Sequence, residues 1–174
     1  MSNQLVISII TDDRPGVVEQ LASIITRHHG NWLESALSRL GGKFAGILLV
    51  EIPLESQAAL EDGLAALREQ GFRLSIEQAG APPHSAGEAV SFEVIGNDRH
   101  GIVGEISHVL AKHQVSVDEL YTATESAPMS GGLLFRAQAK VVIPSGMARD
   151  ELQAILEQLS DDLMVEFMDD RNHP

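Results

Sequence analysis

The amino-acid sequence predicts an α+β chain built from two copies of one β-α-β-β-α-β module, and three observations carry that prediction. A short turn recurs: Asp13-Arg14-Pro15-Gly16-Val17-Val18 returns 85 residues later as Asp98-Arg99-His100-Gly101-Ile102-Val103, and repetition at a fixed period marks a duplicated unit. The hydrophobic period switches between that of strands and that of helices in the same order within each copy. Between the copies lies Ala79-Gly80-Ala81-Pro82-Pro83-His84-Ser85-Ala86-Gly87-Glu88, where Pro and Gly stop helix or strand from running through and the paired prolines favour a stiff, extended spacer. The modules are accordingly expected at 1–79 and 89–170, with a linker at 80–88 and a tail at 171–174.

Each element follows from its residues. Residues 5–10 and 89–95 are short apolar stretches rich in β-branched side chains, hence strands. After the Asp-Arg-x-Gly turn, Val17, Leu21, Ile24 and Ile25 fall at helical spacing, as do Ile102, Ile106, Val109 and Leu110. Strands at 32–40 and 43–52 flank Gly41-Gly42, a pair suited to a primed hairpin turn. The second copy joins 115–125 to 132–143 through a longer connection, because its offset grows from 85 to 91 and places about six extra residues in 126–132. Pro53 and Pro144 end the third strand of each copy. Leu60, Leu64 and Leu67 then mark a second helix, matched by Leu152, Ile155, Leu156 and Leu159. Phe72, Leu74 and Ile76 fall on Leu163, Val165 and Phe167 in a last strand. The order is that of the ferredoxin-like split arrangement, with both helices on one face of a four-stranded antiparallel sheet.

The other sheet face differs between the copies. Along residues 44–52, Phe44, Leu48, Val50 and Ile52 point one way and Ala45, Ile47 and Leu49 the other, so module one is apolar on both faces. A second module or a second chain is expected to cover it, making a homodimer or higher oligomer. The matching strand of module two carries Arg136, Gln138 and Lys140 on that face, which reads as wetter.

Composition limits the functions available. The chain has 174 residues and a formal charge of −13; such a balance repels phosphate backbones, so no direct nucleic-acid binding is expected. It has no cysteine, which removes disulfides, thiolate metal sites and a Cys nucleophile and suits a reducing compartment. No basic n-region precedes an apolar run, and no run approaches the roughly 18 residues of a membrane span. A soluble cytoplasmic protein without membrane contact is expected.

The turns are the candidate sites. A helix N-terminus presents unpaired N–H groups that attract a carboxylate or phosphate, and Gly16 and Gly101 would admit a ligand close to the backbone. Ordinary capping is the competing account, with Asp13 and Asp98 as caps and Pro15 as a first-turn proline. His28-His29 and His113 read as exposed helix-end residues because no third metal ligand stands at useful spacing. Asp161-Asp162 and Asp169-Asp170 read as solvated turns and tail. Trp32, the only tryptophan, reads as a core residue at the start of a strand. No nucleophile elbow, phosphate loop or zinc-binding helix is present, so neither an enzyme nor a bound cofactor or metal is expected.

With that turn and that element order, the sequence resembles the ACT domain family of small-molecule-sensing modules, and more narrowly its two-domain proteins of the glycine cleavage repressor type. The resemblance spans the chain and is densest at Asp12-Asp13-Arg14-Pro15-Gly16-Val17-Val18, Gly30-Asn31-Trp32-Leu33-Glu34-Ser35 and Leu40-Gly41-Gly42-Lys43-Phe44. It implies modules that pair side by side or face to face, with a small amino acid, glycine in the repressor type, bound near the first strand-helix turn at their interface. It implies ligand-binding roles for Asp13, Arg14, Pro15, Gly16 and Val17, and for Asn97, Asp98, Arg99 and Gly101. It also implies control of a protein partner such as a DNA-binding transcription activator. His100 departs from the proline of the motif, which separates module two from module one. A structural interaction module without ligand is the alternative.

Overall fold

Leu5, Ile7 and Ile9 are buried while Ser8 and Ile10 are exposed, the two-residue period of a pleated strand with one face on a core. That strand, β1 (Ser2–Asp12), is followed by α1 (Val17–Arg27), β2 (Asn31–Leu40), β3 (Lys43–Pro53), α2 (Gln57–Ala66) and β4 (Arg73–Gln78). The second half repeats the order as β5 (Gly87–Asn97), α3 (Ile102–Lys112), β6 (Ser116–Ser126), β7 (Leu133–Pro144), α4 (Arg149–Glu157) and β8 (Met164–Met168). The computed structural model describes residues 1–82, 86–129 and 131–168. The middle of the linker, Asp169-Asp170 and the 171–174 tail lie outside the described residues.

The chain divides into two compact units, Met1–Pro82 and Pro83–Pro174. Their sheets run β2-β3-β1-β4 and β6-β7-β5-β8, each antiparallel throughout. The register repeats with the fold. Ile7 lies opposite Leu48 and Ile76, and Phe92 lies opposite Ala139 and Phe167, which reproduces the offsets of 85 and 91 read from the sequence.

Both helices pack on one face of each sheet. Val17, Leu21 and Ile25 of α1 and Leu60 and Leu64 of α2 close over Leu5, Ile7, Leu48, Val50 and Ile52. Ile102, Ile106, Leu110, Leu152 and Leu156 do the same over Phe92, Val94, Val141 and Ile143. A fully buried aliphatic side chain of this size contributes roughly 1.5–3 kcal/mol relative to exposure, so each unit is held by its own aliphatic core. Trp32 packs, half-buried, against the first of them.

The first hairpin turns through Gly41 and Gly42 with φ of 58° and 76°, the positive pair that a primed turn requires. The second gains one further pair, Ser126 with Leu133, and a connection closed by the Ala127 N–H donating to the Gly132 carbonyl. Both edge strands carry a bulge that the sequence pattern does not announce, between Trp32 and Glu34 and between Val117 and Glu119.

The uncovered sheet faces differ as the patterning predicts. On module one, Ile10 and Ile47 are exposed and Val6, Ala45 and Leu49 half-buried. On module two, Arg136 reaches Glu93 at 2.7 Å and Glu125 at 2.9 Å, and Gln138 donates to Glu93 at 2.9 Å. One face is apolar; the other is an ion-pair network.

Candidate functional site

In module one, β1 runs straight into the turn that launches α1. The Asp13 N–H donates to the Gly42 carbonyl at 3.0 Å, tying the turn to the hairpin tip. The Asp13 carboxylate meets Arg39 at 2.6 Å, and Asp12 pairs with Lys43. Lys43, by hydrogen bond and by charge, holds the Asp12 carboxyl below the usual carboxylate range. Both aspartates are therefore engaged by cations from the hairpin, and neither caps α1.

The capping account of Asp13 and Asp98 is corrected by the backbone. The N-cap residues are Gly16 at φ 91° and Gly101 at φ 84°, without a side-chain cap on either helix. Left-handed backbone of this kind is open to glycine and strained for most other residues. The Gly16 carbonyl accepts from the Gln20 N–H and the Gly101 carbonyl from the Glu105 N–H, both at 3.0 Å. At the head of α1 the Val17 N–H is left to solvent or to an anion, whereas at the head of α3 the Ile102 N–H donates back to the Arg99 carbonyl at 3.4 Å.

Arg14 leaves Asp13 and crosses to the β4 side of the turn, its guanidinium 5.5 Å from the centroid of the Phe72 ring. There it lines an open trough of about 510 Å³ with Pro15, Gly16, Gln20, Arg27 and Gln70, a volume in the range of small-molecule sites. Among the described residues Arg14 has no ion-pair partner. Gln20 donates to Gln70 Oε1 at 2.6 Å, while its own Oε1 is buried and unpartnered.

Of the residues singled out in the first turn, the trough gathers Arg14, Pro15 and Gly16. Asp13 points to the hairpin instead, and the Val17 side chain, 3% exposed, belongs to the core. Gln20, Arg27 and Gln70 are not marked by the repeated motif; they reach the trough through the turn of α1 and the fold-back of the segment before β4.

Module two arranges the same turn differently. Asp98 N–H donates to the Leu133 carbonyl at 2.9 Å, as Asp13 does to Gly42. Arg99 is clamped to Glu105 by two hydrogen bonds, 2.7 Å from Nη1 and 2.5 Å from Nη2. This partnership lowers the Glu105 pKa and raises that of Arg99. Asn97 donates its N–H to Asp162 at 2.8 Å, and Ser160 donates to the same carboxylate. Asp162 is thus a structural acceptor rather than a solvated turn residue, and the Ser160 and Asn97 bonds hold its carboxyl low. A hollow of about 500 Å³ here touches Asp98, Arg99 and Gly101 but opens toward Thr124 and Phe135, the opposite flank from the trough of module one.

Metal chemistry finds no footing among the described residues, where no three His, Asp or Glu side chains converge. His28 forms the C-cap of α1 and is half-buried beside Gly63 of α2, while His29 is exposed nowhere near a second ligand set. Among the described residues no helix is long and apolar enough to cross a membrane.

Comparison with known proteins bears on the family and the fold. The ACT domain profile matches residues 3–77, the whole of module one's sheet and helices. A UPF0237 protein of Methanopyrus kandleri is 33% identical over 76 residues, which are 44% of this chain and 83% of that protein. Among solved structures, an unknown protein from Galdieria sulphuraria superposes with a TM-score of 0.78 at 28% identity, covering 96% of this chain and 98% of its own. A protein carrying the provisional name of glycine cleavage system transcriptional repressor superposes with a TM-score of 0.71 at 19% identity, over 98% and 99% of the two chains. The last likeness is one of fold.

Proposed function

This chain belongs to the ACT domain family, and from that premise we propose that it is a ligand-sensing regulatory protein that binds a small amino acid at the first turn of module one. The observation that carries the reading is the trough beside α1. Arg14, whose guanidinium has no ion-pair partner among the described residues, lines it next to a helix N-terminus without a side-chain cap. Together these favour a carboxylate. The unpartnered Oε1 of Gln20 in the trough wall is an acceptor suited to an ammonium group. A small zwitterion offers both ends at once.

The output of such a sensor is control of a protein partner, on our reading a DNA-binding transcription activator as in the repressor type. A net charge of −13 supports regulation through protein contact rather than through the nucleic acid itself. A ligand-free pairing role is the second reading, favoured by the exposed Ile10 and Ile47 on module one's open sheet face.

Thermal unfolding against each of the twenty amino acids separates the two readings. A ligand at 100 times its dissociation constant stabilises by roughly 2.7 kcal/mol. Arg14→Gln should abolish that shift while lowering the ligand-free midpoint only slightly, since an exposed cation–π contact contributes about 0.5–1 kcal/mol. No shift with any amino acid, or a shift that survives Arg14→Gln, overturns the proposed site.

A further inference from the structure

The two turns are copies in backbone but opposites in charge, and resting on the reading above we propose that residue 20 and its counterpart Glu105 decide which turn accepts a carboxylate. Gln20 leaves Arg14 open. Glu105 is a carboxylate supplied by the chain itself, seated where a ligand's would sit on Arg99. The protein then has one ligand turn, not two.

The equivalence is fixed by the backbone. Gln20 and Glu105 each donate an N–H to the N-cap glycine carbonyl at 3.0 Å, so they occupy the same place on their helices. Arg14 and Arg99 both lean toward the segment that enters the last strand of their module. Phe72, next to β4, lies under Arg14, and Asp162, next to Leu163, draws on the charge of Arg99. That segment ends in Gln70-Gly71 in module one and Asp161-Asp162 in module two.

Local charge follows from these exchanges. Arg14 and Arg27 face a lone Glu19 in the first trough. In module two the matching positions are Arg99 and Lys112 for the two cations and Gly104 for Glu19, while Glu105, Asp161 and Asp162 stand where module one has Gln20, Gln70 and Gly71. The flank that is basic in one copy is acidic in the other, within a chain that is acidic throughout.

The Arg99–Glu105 pair is not there chiefly for stability. Its side chains are 37% and 45% exposed, and pairs so well solvated contribute little to folding. As a competitor it is effective, because a carboxylate six residues away on the same chain is always present at high local concentration. It also repels any second carboxylate approaching the same guanidinium.

Residue-resolved amide NMR on the full chain tests this, with acetate and each of the twenty amino acids added separately. Wild type should move the amides of Gly16 and Val17 and leave Gly101 and Ile102 still. Gln20→Glu should weaken the first response at least about tenfold, or about 1.4 kcal/mol. Gln20→Ala should keep the response to acetate, which separates charge from loss of the Gln70 hydrogen bond, and should weaken only the response to the amino acids, whose ammonium loses its acceptor. Glu105→Gln should make Gly101 and Ile102 responsive. Equal movement at both turns in wild type, or a silent Glu105→Gln together with an unimpaired Gln20→Glu, overturns the selector and leaves the amino-acid reading standing. Movement of Gly16 with acetate but with none of the amino acids removes the amino-acid reading and keeps the selector. Stillness with every probe removes both.

Discussion

Gly16 opens α1 at φ 91°, and a Cβ built there meets nothing within 4 Å. The space around it is free, so what excludes other residues is the backbone rather than a neighbour or a ligand. From the sequence, this glycine reads as room for a ligand beside the backbone, so that valine there would disturb binding and spare the fold. The left-handed conformation reverses that order: Gly16→Val should cost about 1–2 kcal/mol of stability before any ligand is added. Gly16→Asn should cost less, since asparagine tolerates this region. Thermal midpoints of the two variants check the ranking, and an unchanged midpoint for valine would contradict it. The repeated motif was legible as a turn before a helix, and its Asp as a cap was a fair inference from residue type. The error lay in conformation: a glycine N-cap in left-handed backbone leaves the aspartate three residues upstream, where Arg39 meets it. Arg39 and Gln20 are distant from the motif in sequence or role, and nothing in spacing alone brings them to it.

At the level of elements, the order and type of the strands and α-helices were legible, mostly because they bury one face at a clean period, and for the edge strands β2 and β6, exposed almost throughout, because of the hairpins that carry them. Strand ends were not. β1 spans Ser2–Asp12, well beyond the apolar 5–10, because polar residues at both ends continue to pair with β3. Apolar alternation marks where a strand is buried, not where its hydrogen bonds stop. The paired bulges were silent for a related reason: Leu33 and Asp118 are extra residues on exposed edges, where no core enforces the alternation. The junction of β5 with β8 depends on Asp162, whose carboxylate accepts from Asn97 and Ser160. Those bonds depress its folded pKa, so their stabilisation is present above the unfolded carboxylate value and is lost as pH falls through the folded one. Asp162→Asn should therefore lower the thermal midpoint near neutrality, by about 0.5–1 kcal/mol for a half-exposed group. The gap from wild type should close in strong acid. A gap that persists unchanged below the carboxylate range would show that the bonds, not the charge, carry the effect.

For the whole molecule, the duplication was legible because two independent offsets, 85 and 91, return in the strand registers. The uneven treatment of the copies was only partly so. The polar face of module two could be read from alternation, whereas the clamp of Arg99 by Glu105 could not, since residues six apart meet only once the turn is folded. The apolar open face of module one has its own consequence. If a second copy covers it, Ile47→Lys, placing a charge at an exposed isoleucine, should raise the dimer dissociation constant at least about tenfold, or about 1.4 kcal/mol. Gln138→Lys on the polar face should leave assembly unchanged. Solution mass over a dilution series reads both, and identical curves for wild type and Ile47→Lys would remove this face from the assembly.

The Asp13 N–H bond to Gly42, joined by the two ion pairs of Asp12 and Asp13 with Lys43 and Arg39, makes a brace between two places far apart in the chain. A brace transmits displacement. A tilt of the strand-helix corner would pull on the tip of the hairpin, and with it on the end of β2 nearest the turn. In the second copy the corresponding bond runs to Leu133, the first residue of β7 and paired with Ser126, and among the described residues Asp98 adds no ion pair to it. The first corner is held by backbone and charge, the second by backbone alone.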